Sequence, residues 1–117
     1  YLDSASVKNL TATLLRRVNP PSAILFPDDS SAISGLSAIL EAGLSCPKDL
    51  SIAGFDGIET SQLVNPHLTT VKQDEEKIGK ALASELILAM EQGNSYFPRQ
   101  IVIPSKLILG ESTGKKQ

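Results

Sequence analysis

Tryptophan is absent from this chain, and cysteine and histidine occur once each. Aromatic residues make up only 4% of its 117 positions, so any core has to be built from aliphatic side chains. The single Cys46 excludes an internal disulfide and gives no sign of an oxidising compartment, which points to a cytoplasmic protein. One Cys and one His cannot supply the ligand spacing of a zinc centre, and no metal ligand is assigned. No apolar run approaches the ~18 residues of a membrane span, so no membrane partner is expected. Basic residues are outnumbered, 11 against 13 acidic, for a net charge of −2. Binding nucleic-acid phosphates needs clustered Lys and Arg. Here only Arg16-Arg17 and Lys115-Lys116 adjoin, and they read as a solvated helix face and a chain end. The Gly-x-Ser-x-Gly elbow and the Gly-Lys-Ser/Thr phosphate loop are both missing. His67 sits in an expected exposed loop and Cys46 in a connection suited to a small buried thiol. No catalytic residue and no cofactor is assigned.

What the chain does have is 41% apolar residues, enough for one domain or most of one. Val7, Leu10, Leu14, Leu15 and Val18 recur at helical spacing from Ser4 to Val18, with Asp3 or Ser4 as cap and Asn19-Pro20-Pro21 as the stop. Ala23 to Phe26 reads as a buried strand. A second helix from about Ser30 to Ala42 follows, with Ala32, Ile33, Leu36, Ile39 and Leu40 inward, Asp29 or Ser30 capping it and Gly43 ending it. Gly35 within it marks either the close approach of a neighbouring backbone or a tolerated weakness in the helix. Leu50 to Phe55 is the next strand, Glu59 to Val64 a short helical turn, and Leu68 to Val71 a further strand. Asp74 to Gln92 is the longest helix, with Ile78, Ala81, Leu82, Leu86, Ala89 and Met90 on one face. Two strand-like runs, Gln100 to Ile103 and Lys106 to Leu109, precede a polar tail expected to be loose after Gly110. The order predicts an α/β fold, a mostly parallel sheet flanked by helices of Rossmann-like type. Because it starts on a helix at Tyr1, which is not Met, at least one strand is expected upstream.

Two strands end in acid: one runs into Pro27-Asp28-Asp29, the other into Asp56-Gly57. Open α/β sheets place ligands outside the carboxyl ends of their strands, next to loops that need glycine. Asp29 fits the helix cap. Asp28 and Asp56, at matched strand ends, fit acceptors for a hydroxyl-rich ligand such as a sugar. The same acids could instead serve a Mg²⁺-dependent or phosphoacceptor enzyme, with Thr69, Thr70 or Lys72 at a third strand end, although that spacing is poor.

The runs Pro21 to Asp29 (PSAILFPDD), Glu41 to Asp56 (EAGLSCPKDLSIAGFD) and Pro66 to Asp74 (PHLTTVKQD), followed by Gly79 and Gly110-Glu111-Ser112-Thr113, resemble the LacI/GalR family of transcriptional repressors. The resemblance covers roughly Pro21 to Thr113 and matches the C-terminal part of the family's effector-binding region, which is periplasmic-binding-protein-like. It implies a non-enzymatic sensor in which a small-molecule effector closes a cleft between two subdomains of a homodimer. DNA would be bound only through an N-terminal helix-turn-helix that this chain lacks. It implies that residues 1–72 and 104–113 form one subdomain, that 73–103 belong with the other, and that 114–117 are a tail. It also implies that Asp56, Asp28, Gln73 and Asp74 line the effector site. Ile33, Leu63 and Val64 match positions facing the partner subunit. Asp28 stands where the family often has Asn, and Gly57 where it often has a second acid, which leaves the effector open. An extracytoplasmic sugar-binding protein of an ABC uptake system shares this fold and the Gly-Phe-Asp-Gly strand end. The residues upstream of Tyr1 discriminate the two.

Overall fold

A computed structural model describes residues 3–115, which form three α-helices, two 3₁₀ turns and one four-stranded sheet. These residues fall into two compact units, one running to Lys72 and resuming at Leu107, the other spanning Gln73–Lys106.

In the first unit α1 covers Ser4–Leu15, β1 Ala23–Leu25, α2 Asp29–Glu41, β2 Ser51–Asp56 and β3 Thr69–Lys72. The strand β4, Lys106–Ile108, completes a sheet ordered β1-β2-β3-β4. β1 pairs parallel with β2, Ile24 opposite Ile52, and β2 pairs parallel with β3, Gly54 opposite Thr70 and Asp56 opposite Lys72. Parallel neighbours need a crossover, and α2 supplies the one between β1 and β2.

The core is aliphatic, as the scarcity of aromatics requires. Val7, Ala32, Leu36, Ile39, Leu50, Ile52 and Leu68 are buried, with Phe26 the one aromatic member among the described residues. Gly35 explains how Phe26 fits: a Cβ there would collide with the ring, reaching 2.6 Å from Cε1 and 2.9 Å from Cε2. The close approach expected at Gly35 is therefore real, although the neighbour is a side chain rather than a backbone. Ser4 Oγ meets Ser34 Oγ at 2.9 Å and Lys8 Nζ meets Glu41 at 2.5 Å, so α1 and α2 run side by side in the same direction.

Away from the acid-bearing strand ends, four expectations need correction in this unit. α1 ends at Leu15 rather than Val18, which leaves Val18 almost fully exposed and Leu10 half exposed. Thr11 is buried in their stead, its hydroxyl donating to the Val7 carbonyl at 2.9 Å. β1 lies at the sheet edge instead of being buried, with Leu25 75% exposed. Ile33 and Leu40 sit at the margin of α2's inner stripe, and Ala38 takes an inward place. The polar stretch after Gly110 is stitched down over residues 111–114. Glu111 and Ser112 N–H groups donate to the His67 carbonyl, at 2.7 and 3.0 Å. The fully buried Ser112 Oγ accepts from the Thr69 N–H at 2.8 Å and donates to the Ile52 carbonyl at 2.7 Å. Gly114 N–H reaches Ser51 Oγ at 3.1 Å. Small polar side chains there satisfy backbone groups that the sheet does not pair, a role that composition alone does not reveal. Residues 116 and 117 of the expected tail lie outside the described residues.

The second unit consists of α3, Glu75–Gln92, a 3₁₀ turn at Gly93–Ser95 and an extended segment. Asp74 caps α3 and Gly93, with φ of 52°, closes it. Tyr96 OH and Arg99 both donate to the Glu85 carboxylate, at 3.0 Å and at 2.5–2.9 Å, which ties the extended segment back to the helix. None of α3 is buried; Leu82, Leu86 and Met90 of its apolar face are more than 60% exposed. Residues 100–103 form no strand, contrary to expectation, because a strand needs a neighbour to accept its hydrogen bonds.

Candidate functional site

The carboxyl ends of β1 and β2 carry the acids singled out in the sequence, and the structure moves the helix cap from Asp29 to Asp28. α2 begins one residue earlier than expected. This makes Asp28, extended at φ −151°, the N-cap: its carboxylate accepts from the Ser31 N–H at 2.7 Å and the Ser31 hydroxyl at 2.9 Å. Asp28 is half-buried and uses about two of its four lone-pair sites in this way.

Asp29, expected to be the cap, instead points into the sheet and is fully buried. One oxygen accepts from the Gly57 and Ile58 N–H groups, both at 2.9 Å, and the other from the Thr70 hydroxyl at 2.5 Å. Gly54 makes room for it, since a Cβ on Gly54 would run into Asp29 Oδ1 and come within 3.1 Å of its Cα. Three hydrogen bonds thus satisfy this buried carboxyl group. Sequence reasoning missed the role. The signal available was the pairing of an acid with glycine at the middle of the neighbouring strand.

Asp56 closes β2 with a φ of 110°, the only positive value among non-glycine residues described. Such a backbone costs roughly 1–3 kcal/mol and survives only where its surroundings over-determine it. Here they do: Gly57, φ 72°, follows at once, its N–H held by Asp29 and by Thr70 Oγ1 at 3.2 Å. A Cβ on Gly57 would fall 2.5 Å from Lys72 Cβ, so β3 passes close beside the turn. Asp56 is half-buried, at the rim of the sheet.

Beyond the turn, the buried Ser61 donates through Oγ to the Ile58 carbonyl at 2.7 Å, and its own carbonyl accepts from the Leu68 N–H at 2.9 Å. A recess of about 650 Å³ opens here, bordered by Gly57, Gln62, Leu63, Thr70, Lys72 and Ile108. Of the three residues expected to face a partner subunit, Leu63 is 75% exposed, Ile33 is half-buried, and Val64 packs partly against the core.

Gln73 and Asp74 open the second unit. Asp74 accepts from the Lys77 N–H at 3.0 Å and pairs with its ammonium at 2.9 Å, which holds the Asp74 carboxyl below the usual range. That capping role was absent from the sequence reading. His67 is exposed, and Cys46 donates to the Ser112 carbonyl at 3.4 Å, its thiol pushed up by burial. Among the described residues no group of three or more His, Cys, Asp or Glu is placed to hold a metal ion. No helix among them is long and apolar enough to cross a membrane.

Comparison with known proteins places this arrangement. Residues 2–113 match the model of the periplasmic binding protein-like domain. The chain is 37% identical over 94 residues to the transcriptional repressor MelR of Bacillus subtilis, an alignment covering 80% of this chain but only 27% of MelR. A dimeric Lac repressor with an 11-residue C-terminal deletion superposes with a TM-score of 0.84 at 30% identity, covering 98% of this chain and 42% of that one. A LacI-family regulator from Arthrobacter sp. FB24, solved in complex with lactose, superposes at 0.81 with 27% identity over 95% of this chain and 42% of its own. The chain thus spans well under half the length of the proteins it resembles. These relatives are named as regulators and not as enzymes, which agrees with the absence of an assigned catalytic residue and weighs against the uptake-protein reading.

Proposed function

Because the chain belongs to the periplasmic binding protein-like family, in the form carried by LacI/GalR-type repressors, we propose that it is the C-terminal part of a repressor's small-molecule sensing region. The observation that carries this reading is Asp56. It is a half-buried carboxylate at the end of a central strand, fixed at a strained φ by a buried neighbour. Fixed acceptors at strand ends suit a ligand rich in hydroxyls, and the regulator bound to lactose supports a sugar as the effector class. Asp28 contributes from the adjacent strand end with its remaining lone pairs. Gln73 and Asp74 mark where the chain leaves one subdomain for the other, at the cleft.

On this reading, residues 73–103 pack with a subdomain encoded upstream, which would cover Leu82, Leu86 and Met90. Ile33, Leu63 and Val64 face a second copy in a homodimer, and a helix-turn-helix outside this chain binds the operator. Effector binding shifts operator affinity through its different affinity for two subdomain arrangements. The protein acts in the cytoplasm, where the operator is.

Isothermal titration of the protein, including its upstream residues, with lactose, cellobiose, ribose and nucleosides tests the assignment. Hydrogen bonds to a charged acceptor contribute about 1.5–3 kcal/mol, so Asp56→Ala should weaken the binding of any sugar that binds by about tenfold or more. If every affinity survived that substitution, Asp56 would not be a ligand contact.

A further inference from the structure

We propose that Asp29 is a positioning residue that couples the ligand-contacting Asp56 to the surface carrying Leu63 and Val64. The inference rests on the roles proposed above for Asp56 and for that surface.

One buried carboxylate holds three groups from two later parts of the chain: the Gly57 and Ile58 N–H groups and the Thr70 hydroxyl. Its grip on Gly57 lies one peptide bond beyond the strained Asp56. Without that grip, Asp56 relaxes toward a negative φ and its carboxylate swings off the rim. On the other side, Ile58 starts a short relay. Its carbonyl accepts both the backbone N–H and the hydroxyl of buried Ser61, at 3.0 and 2.7 Å. Ser61 anchors the turn to Leu68, and the next residues are Gln62, Leu63 and Val64. Ligand contact at Asp56 and partner contact at Leu63 thus act on the same turn, whose position one carboxylate sets. A ligand that fixes Asp56 stiffens the surface, and by reciprocity a partner on the surface fixes Asp56.

The test uses the full-length protein with Asp29→Asn, Thr70→Val, Thr70→Ser and Leu63→Asp. The readouts are amide hydrogen exchange by residue and dimer dissociation by sedimentation. Thr70→Val removes one of Asp29's three donors and an acceptor of the Gly57 N–H while leaving the carboxylate in place. It should raise exchange at Gly57, Ile58 and residues 61–64 about tenfold, leave Ile39 and Ile52 unchanged, and weaken the dimer about tenfold. Thr70→Ser, which keeps the hydroxyl, should restore both; Asp29→Asn, with one acceptor oxygen fewer, should show the larger effect. A purely structural role would raise exchange across the core as well, and that result would overturn the proposal. If Leu63→Asp separates the subunits while Thr70→Val leaves the dimer untouched, the surface assignment stands and the coupling is wrong. If Leu63→Asp leaves the dimer intact, the surface assignment fails and the coupling falls with it. Should Asp29→Asn not fold, Thr70→Val decides alone.

Discussion

Ser112→Ala removes one oxygen and tests whether the 110–114 segment is part of the fold. Ser112 Oγ accepts from the Thr69 N–H at 2.8 Å and donates to the Ile52 carbonyl at 2.7 Å in a site with no solvent exposure. Each hydrogen bond contributes about 0.5–1.5 kcal/mol net, and a buried partner left unsatisfied costs about 1–3 kcal/mol. Water cannot easily replace the lost oxygen in a site this closed, so the loss should be about 3 kcal/mol. At roughly 4 °C per kcal/mol for a domain of this size, the melting temperature should fall by about 12 °C. Calorimetry reads the shift. Urea unfolding should show a lower midpoint with an unchanged slope, because the surface exposed on unfolding is the same. Thr113→Ala is the contrast: its hydroxyl meets Thr69 Oγ1 at 2.9 Å in a partly open place and should cost less than about 1 kcal/mol. A Ser112→Ala shift of under 2 °C, or one no larger than that of Thr113→Ala, would refute the reasoning and return the segment to a loose tail.

Three further outcomes follow from the packing and the charges. Gly35→Ala should destabilise by about 1–3 kcal/mol through its collision with the Phe26 ring, and Phe26→Leu should recover part of that loss; purely additive effects in urea titrations would argue against the collision. The Lys8 ammonium and the Ser37 hydroxyl hold the Glu41 carboxyl below its ordinary value, as the Ser6 backbone and hydroxyl hold Asp3. Such contributions are present above the ordinary carboxylate range, about pH 4, and disappear as pH falls through the lowered folded values. Glu41→Gln should therefore flatten the acid side of the stability profile, and an unchanged profile would contradict this. Burial pushes the Cys46 thiol up, so iodoacetamide at pH 8 should label it several-fold more slowly than the urea-unfolded chain; equal rates would contradict its placement.

Much of the fold was legible because its signals are periodic. The apolar stripes of α2 and α3, the Asp74 boundary and the Gly43 stop are local events that sequence spacing reports. The resemblance carried the family. What stayed hidden depends on tertiary register. Asp28 and Asp29 are the same residue type in adjacent places, and only the one-residue offset of α2 decides which caps and which is buried. Val18 and Leu10 fit a helical stripe, yet α1 stops before one and turns the other outward. By composition alone Ser112 read as part of a loose tail, because its partners, Ile52 and Thr69, lie 60 and 43 positions away. Residues 100–103 have strand composition but no described strand beside them, and composition does not supply a partner.

The grip of Asp29 on the turn also bears on how this chain ages. An Asp-Gly pair is chemically fragile: the glycine nitrogen can attack the aspartate carboxyl, form a succinimide and reopen as isoaspartate, which lengthens the backbone by one carbon. In Asp56-Gly57 that nitrogen presents its N–H to Asp29 and Thr70, and the backbone on both sides is fixed. The folded protein should thus keep Asp56 intact on storage at 37 °C, while the unfolded chain, and Asp29→Asn to a lesser degree, accumulate isoaspartate there, as peptide mapping would show. The hydrogen bonds that hold the acid in place also preserve its covalent identity.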